Sequence, residues 1–192
     1  MIDPRDVVAR IDGELNFMSS ISLYTQEGVF RPIYKVGFNK GIYILKLSNS
    51  SLEDERKHYS REVAALQVAR GMDGVTQLVR DYDLVEIDSG KYYAILKEYF
   101  VGRDLRQDGA TNPKIEDQLR QIIYDLHLRG IVHMDLWPQN IVVSHDRTAA
   151  KIVDLGKCLI NQKSGKRLDR LMQRDFDNLE CLLDRLRRNS TS

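Results

Sequence analysis

The strongest constraint on this chain is the spacing inside residues 133–143. Asp135 is followed five positions later by Asn140, and the apolar run Ile141, Val142, Val143 comes directly behind. A second acid, Asp154, closes another apolar run, Ile152 and Val153, and is followed by Leu155 and Gly156. Two short strands, residues 140–143 and 151–153, joined through a turn over 144–149, would set Asn140 and Asp154 at neighbouring strand ends. There a cation could bridge them. An acid, an amide and a second acid offer one group able to orient or deprotonate a hydroxyl and two oxygen ligands for a hard cation. Such a trio needs an anion grip upstream and a scaffold to hold it.

The upstream chain reads as follows. Asp3 and Pro4 form an N-cap and first-turn pair, and Val7, Val8, Ile11, Leu15 and Met18 share one helical face, predicting a helix weakened by Gly13. From Ser22 to Leu47 the pattern becomes β-like, with strands around residues 33–36 and 42–47 joined by a turn over 37–41. Lys46 ends an apolar, β-branched strand, where burying an ammonium costs several kcal/mol, on the order of 5, unless an anion meets it. A helix follows, opened by a capping-box-like Ser51 and Asp54, running to about Arg70 and closed by Gly71. Tyr59, Val63 and Leu66 define its buried stripe. Glu62 lies at the edge of that stripe and is a candidate partner for Lys46. Glu55 shares a similar stripe but, in the first turn, is better explained by the helix dipole. Strands over 77–87 and 91–100, with a turn at 88–90, run into an apolar and then glycine-bearing stretch, Glu98 to Leu105, that reads as a hinge. Asn112 as N-cap, Pro113 and the stripe Ile115, Leu119, Ile122, Leu126 give the clearest helix, closed by Gly130. Residues 168–186 carry Leu168, Leu171, Met172, Phe176, Leu179, Leu182, Leu183 and Leu186 on one broad helical face.

Composition excludes several alternatives. Lys and Arg number 29 against 28 Asp and Glu, so no global field points to nucleic acid or an anionic membrane. Two cysteines are too few for a secreted disulfide scaffold, and the four scattered histidines form no zinc pattern. No apolar run approaches the roughly 20 residues of a membrane helix. The N-terminus lacks the basic start and apolar core of a signal peptide, so a cytoplasmic setting is expected, with delivery into a host cell as an effector left open.

In order, these pieces resemble the protein-kinase-like superfamily over about residues 20–185. Residues 28–36, beginning at Gly28 and including Arg31, are similar to the end of the glycine loop and its return strand. Residues 43–46 look like the strand ending in the ATP-gripping lysine, and Glu62 occupies the place of the helix glutamate. His133, Met134, Asp135 and Asn140 match the catalytic loop, and Asp154, Leu155 and Gly156 the metal-binding triplet. The resemblance implies an α+β, bilobal kinase-like fold: an antiparallel-sheet N-lobe with one main helix, then a truncated helical C-lobe. As one kinase-like domain over 1–192, the N-lobe is expected over 1–97, the hinge over 98–104 and the reduced C-lobe over 105–192. The cofactors implied are ATP and Mg²⁺. Lys46 and Glu62 would serve the phosphates, Asn140 and Asp154 the metal, and Asp135 the acceptor hydroxyl. Gly28, Arg31, Glu98 and Phe100 would complete the nucleotide site. His133 reads as a structural brace of the loop, and Asp175 as either a brace from below or a helix-surface acid.

Departures from the family pattern narrow the expectation. Gln26 and Arg31 stand where two loop glycines are usual, so Arg31 would add charge directly. Met134 replaces the arginine that pairs with a phosphorylated loop in many kinases, which argues against that form of control. Lys97 falls where an apolar gatekeeper is usual, unless the register slips by one. Trp137 and Pro138 replace the usual catalytic-loop lysine and its neighbour, as in atypical and small-molecule kinases, and Trp137 reads equally as packing or as a substrate wall. The short stretch after Asp154 leaves no room for a long activation segment. That economy resembles the RIO kinases, the small kinase of the KEOPS tRNA-modifying complex and compact bacterial effector kinases. The expected activity is phosphotransfer from ATP to a Ser/Thr hydroxyl of a protein substrate, with a partner protein supplying docking surface. The alternatives are a small-molecule phosphotransferase and a nucleotide-binding pseudokinase.

Overall fold

Residues 3–24, 30–88, 90–109, 111–132, 135–160 and 165–189 are described in the computed structural model of the chain, with backbone alone for 22–24, 30, 31 and 189. Gly28, Gln26, His133 and Met134 therefore lie outside the described residues, as does the side chain of Arg31. The chain divides into two compact units, Met1–Val63 with Gln77–Tyr99 and Ala64–Thr76 with Phe100–Ser192. The division falls between Tyr99 and Phe100, and residues 64–76 group with the second unit.

The first unit is built on a five-stranded antiparallel sheet in the order β1-β2-β3-β5-β4. Its strands are β1 (Asn16–Tyr24), β2 (Phe30–Phe38), β3 (Gly41–Asn49), β4 (Leu78–Ile87) and β5 (Gly90–Glu98). Asn39 and Lys40 turn β2 into β3 with φ of 44° and 64°, the pair of left-handed residues that matches the twist of a hairpin. Side chains alternate across the sheet. Leu45, Leu47, Ala94 and Leu96 point to one face, where they form a core with Val7 and Val8 of α1 (Pro4–Ile11). Lys46, Tyr93 and Lys97 point to the other face and meet α2 (Glu53–Val68). Covering both faces explains why β3 is buried continuously through its second half.

Several local expectations are corrected here. The first helix ends at Ile11 and does not reach Met18. Asp12 leaves helical backbone and its carboxylate accepts from the Glu14 N–H at 3.0 Å, the local competition by which short acids end helices. Met18 falls at a register shift of β1 and is 49% exposed. The Ser51–Asp54 capping box does not form, because the Ser51 hydroxyl donates to Asn49 Oδ1 at 2.7 Å. Glu55 stands in the first turn of α2 as expected, and it is buried there.

The second unit centres on α4 (Pro113–Leu128), capped by Asn112, whose Oδ1 accepts from the Ile115 N–H at 2.9 Å. Ile115, Leu119, Ile122 and Leu126 are all buried. Against it lies α5 (Lys166–Asn189), which buries Leu179, Leu182, Leu183 and Leu186. A small sheet, β6-β8-β9, combines β6 (Arg103–Asp104), β8 (Ile141–Val143) and β9 (Ala150–Ile152). A pair of two-residue strands, β7 (Ile131–Val132) and β10 (Leu159–Ile160), closes the unit. Periodicity cannot find elements this short, and β6, β7, β10 and α3 (Leu105–Asp108) are not legible in the sequence. Gly102 is required where it stands: a Cβ there would lie 2.1 Å from the Val143 carbonyl oxygen. Together the units make the mixed α+β architecture, an antiparallel sheet with one main helix and a helical second part, that the resemblance implies.

Candidate functional site

In the first unit, the alternation of β3 and β5 brings two lysines to one acid. β3 pairs with β5 so that Ile44 faces Lys97 and Lys46 faces Ile95. Lys46 Nζ lies 2.6 Å from Glu62 Oε2, and Lys97 Nζ contacts Glu62 Oε1. Lys46, Lys97 and Glu62 are only 7%, 5% and 1% exposed, so the contacts operate with little screening by water. Each carboxylate oxygen therefore serves a different ammonium. Lys97 is thus a buried cation, held against the same acid as Lys46. The Glu98 side chain accepts from the Gln77 N–H at 3.2 Å while its own N–H donates to the Gln77 carbonyl at 2.9 Å, which pins the strand end at the expected hinge.

The second unit gathers the acid and amide of residues 135–154. The Asp135 carbonyl accepts from the Trp137 N–H, and the Trp137 carbonyl from the Asn140 N–H, both at 2.9 Å, so the loop closes on itself before β8. Asn140 ends a short 3₁₀ turn (Pro138–Asn140), one residue before the strand it was expected to begin. Its amide nitrogen donates to both the carbonyl oxygen and Oδ2 of Asp135 at 3.0 Å. That leaves the amide oxygen as the group with acceptor capacity for a cation. The Val153 N–H donates to the Asn140 carbonyl at 2.9 Å, which sets Asp154 beside Asn140. Asp154 Oδ1 accepts from the Gly156 N–H at 2.8 Å. Lys157 Nζ stands 3.2 Å from Asp135 Oδ1, a contact that spacing within the catalytic loop does not reveal. Phe100 has the Lys151 ammonium 5.5 Å from its ring centroid.

Between α4 and α5, His127 Nε2 and Asp175 Oδ2 are 2.9 Å apart, with both side chains about 1% exposed. Asp175 is thus a buried brace between α5 and α4, and the surface-acid reading of it is excluded. The Phe176 ring meets the imidazole edge-on at 5.3 Å. The sequence singled out Asp175 but not His127, because a lone histidine on an apolar helix face carries no signal of its own.

Asn140 and Asp154 were tested as a magnesium pair on their donor chemistry. Both offer oxygen, and Mg²⁺ commonly takes only one or two protein ligands and completes its shell with phosphate oxygens and water. The pair fits that use. Among the described residues no group of three or more His, Cys, Asp or Glu could hold a metal ion.

Lys46 held by Glu62 in the first unit, and Asp135, Asn140 and Asp154 gathered in the second, are the kinds of group that a kinase uses. The family model described as protein kinase domain matches residues 27–185, and the chain belongs to that family. Kinase membership implies ATP as the phosphate donor.

Proposed function

We propose that the chain transfers the γ-phosphate of ATP, with Mg²⁺, to a Ser/Thr hydroxyl of a protein. The observation that carries this reading is the tie from Asn140 Nδ2 to Asp135, beside Asp154, which arranges acid, amide and metal ligand within one set of hydrogen bonds. Asn140 and Asp154 hold the metal, which when bound neutralises phosphate charge. Lys46, fixed by Glu62, binds the oxygens of the phosphates that are not transferred. Asp135 orients the acceptor hydroxyl and takes its proton as the new bond to phosphorus forms. Arg31, Gly28, Glu98 and Phe100 complete the nucleotide contacts. A cytosolic setting, where ATP is abundant, suits this chemistry.

The sequence between Gly156 and Lys166 is too short to hold a long activation segment on which a protein substrate could dock. We therefore assign part of substrate docking to a partner protein. The direct test is incubation of the purified protein with labelled Mg-ATP and cell lysate, against Asp135→Asn. Label on proteins with wild type alone supports the reading. Absence of any phosphate transfer, with nucleotide still bound, would sink it in favour of a pseudokinase. One observation favours a second reading: Trp137, beside Asp135, is 53% exposed and could serve as an aromatic wall for a small acceptor. Label on a metabolite with none on protein would select that alternative.

A further inference from the structure

We propose that Lys157 is a catalytic residue, its ammonium binding the γ-phosphoryl oxygens of ATP and stabilising the charge that gathers there during transfer. This inference rests on the kinase reading above. Charge spreads over the γ-phosphoryl oxygens during transfer, and the loop between Asp135 and Asn140 contributes only Leu136, Trp137, Pro138 and Gln139, all neutral, to meet it beside the metal. Lys157 brings one from another segment, 3.2 Å from Asp135 Oδ1.

The backbone beneath Lys157 is held by its neighbours while its side chain reaches out beside Asp135. Leu155 and Cys158 are buried on either side, and the Cys158 N–H donates to the Leu155 carbonyl at 3.1 Å. One end of this turn is Asp154, bonded through Oδ1 to the Gly156 N–H. The other end enters β10, paired with β7. Lys157 is thereby tied in sequence to the proposed metal ligand and in space to the proposed base. Its side chain is 51% exposed. An ion pair that open to water contributes only about 0–1 kcal/mol, so stability is a weak reason for the contact.

The two oxygens of Asp135 are held differently. Oδ2 accepts from the Asn140 amide, which is packed into the loop, whereas Oδ1 faces the long, exchangeable lysine stem. With substrates bound, the Lys157 ammonium moves from Oδ1 to the γ-phosphoryl oxygens, and Oδ1 becomes available to the acceptor hydroxyl. The acceptor oxygen then bonds to the γ-phosphorus as the bond from phosphorus to the β–γ bridging oxygen breaks. ADP leaves with that electron pair, the hydroxyl proton passes to Asp135, and Lys157 stays protonated throughout.

Calorimetry and kinetics on the full chain test this together. Wild type should bind a non-hydrolysable ATP analogue more tightly than ADP. Lys157→Met should narrow that preference about tenfold by weakening the analogue alone, and should lower phosphate transfer from labelled Mg-ATP by ~10²-fold at saturating nucleotide. Lys157→Arg, which keeps the charge, should recover most of both losses. An active wild type beside a Lys157→Met variant with unchanged rate and unchanged nucleotide preference overturns the assignment of Lys157 alone. So does a variant that weakens ADP and the ATP analogue equally and melts at a lower temperature, since that marks a structural residue. A wild type that binds no nucleotide and transfers no phosphate overturns the kinase reading itself, and this assignment with it.

Discussion

Glu62 holds two cations on one buried carboxylate. Its carboxylate receives Lys46 and Lys97, and the three groups lie almost entirely out of water. Taking the acid from a buried ion pair typically costs about 3–5 kcal/mol, because the cations stay buried. Glu62→Ala is therefore expected to lower the urea midpoint by a stability loss in that range, and to lower phosphate transfer as well. Asp154→Ala should behave in the opposite manner. Its effect belongs to the reaction, a fall of ~10²-fold or more, equivalent to about 2.7 kcal/mol of lost transition-state stabilisation, with the melting temperature little changed. Measuring transfer and unfolding on both variants separates a residue that holds the fold from one that serves the chemistry.

At the scale of elements, α1 and α4 make separable predictions. α1 is tied to β4 through Asp12, whose carboxylate meets Arg80 and the Tyr82 hydroxyl, the latter at 2.8 Å. Burial alone would raise the pKa of this acid, but the Glu14 N–H, Tyr82 and Arg80 outweigh it and hold the carboxyl below its ordinary 3.8. An acid whose pKa falls on folding contributes stability that is fully present above its unfolded value and is lost as pH drops through the folded one. Asp12→Asn should therefore be less stable than wild type at neutral pH, and the difference should shrink below about pH 4 in acid titrations followed by circular dichroism. For α4, Asn112→Ala removes the acceptor for the Ile115 N–H and should cost ~1 kcal/mol in denaturant unfolding. Asn112→Asp should restore it.

For the molecule as a whole, 29 basic against 28 acidic side chains predict weak electrostatic affinity for polyanions. Duplex DNA or RNA should show no retention of the protein at about 0.15 M salt in a filter-binding assay, where a basic nucleic-acid protein would persist. Much of the architecture was legible because long periodic segments report burial directly. The stripe of α4, the alternation of β3 and β5 and the face of α5 each repeat often enough to be read. The two-residue strands and the end of α1 were not, since one side-chain bond, such as that of Asp12, can override a helical pattern. Within the site, Lys46, Glu62, Asp135, Asn140 and Asp154 stood out by type and spacing. Lys97 stood out only as a departure from the family pattern and Lys157 not at all, because their contacts with Glu62 and with Asp135 come from strand register and from a turn. His127 was hidden for the same reason, its meaning fixed by Asp175 on another helix.

The doubled attachment of Glu62 has a consequence for how this chain tolerates change. In a one-to-one ion pair, losing the strand lysine strands a buried acid, so inactivity and unfolding arrive together. Here either lysine can be lost while the acid keeps a counter-charge, which uncouples those two failures. Substitutions at Lys46 should yield folded, silent protein, and a lineage could drift through such a state and regain activity by a single reversal. The arrangement is a form of redundancy, placed at the residue where the fold and the proposed chemistry make competing demands.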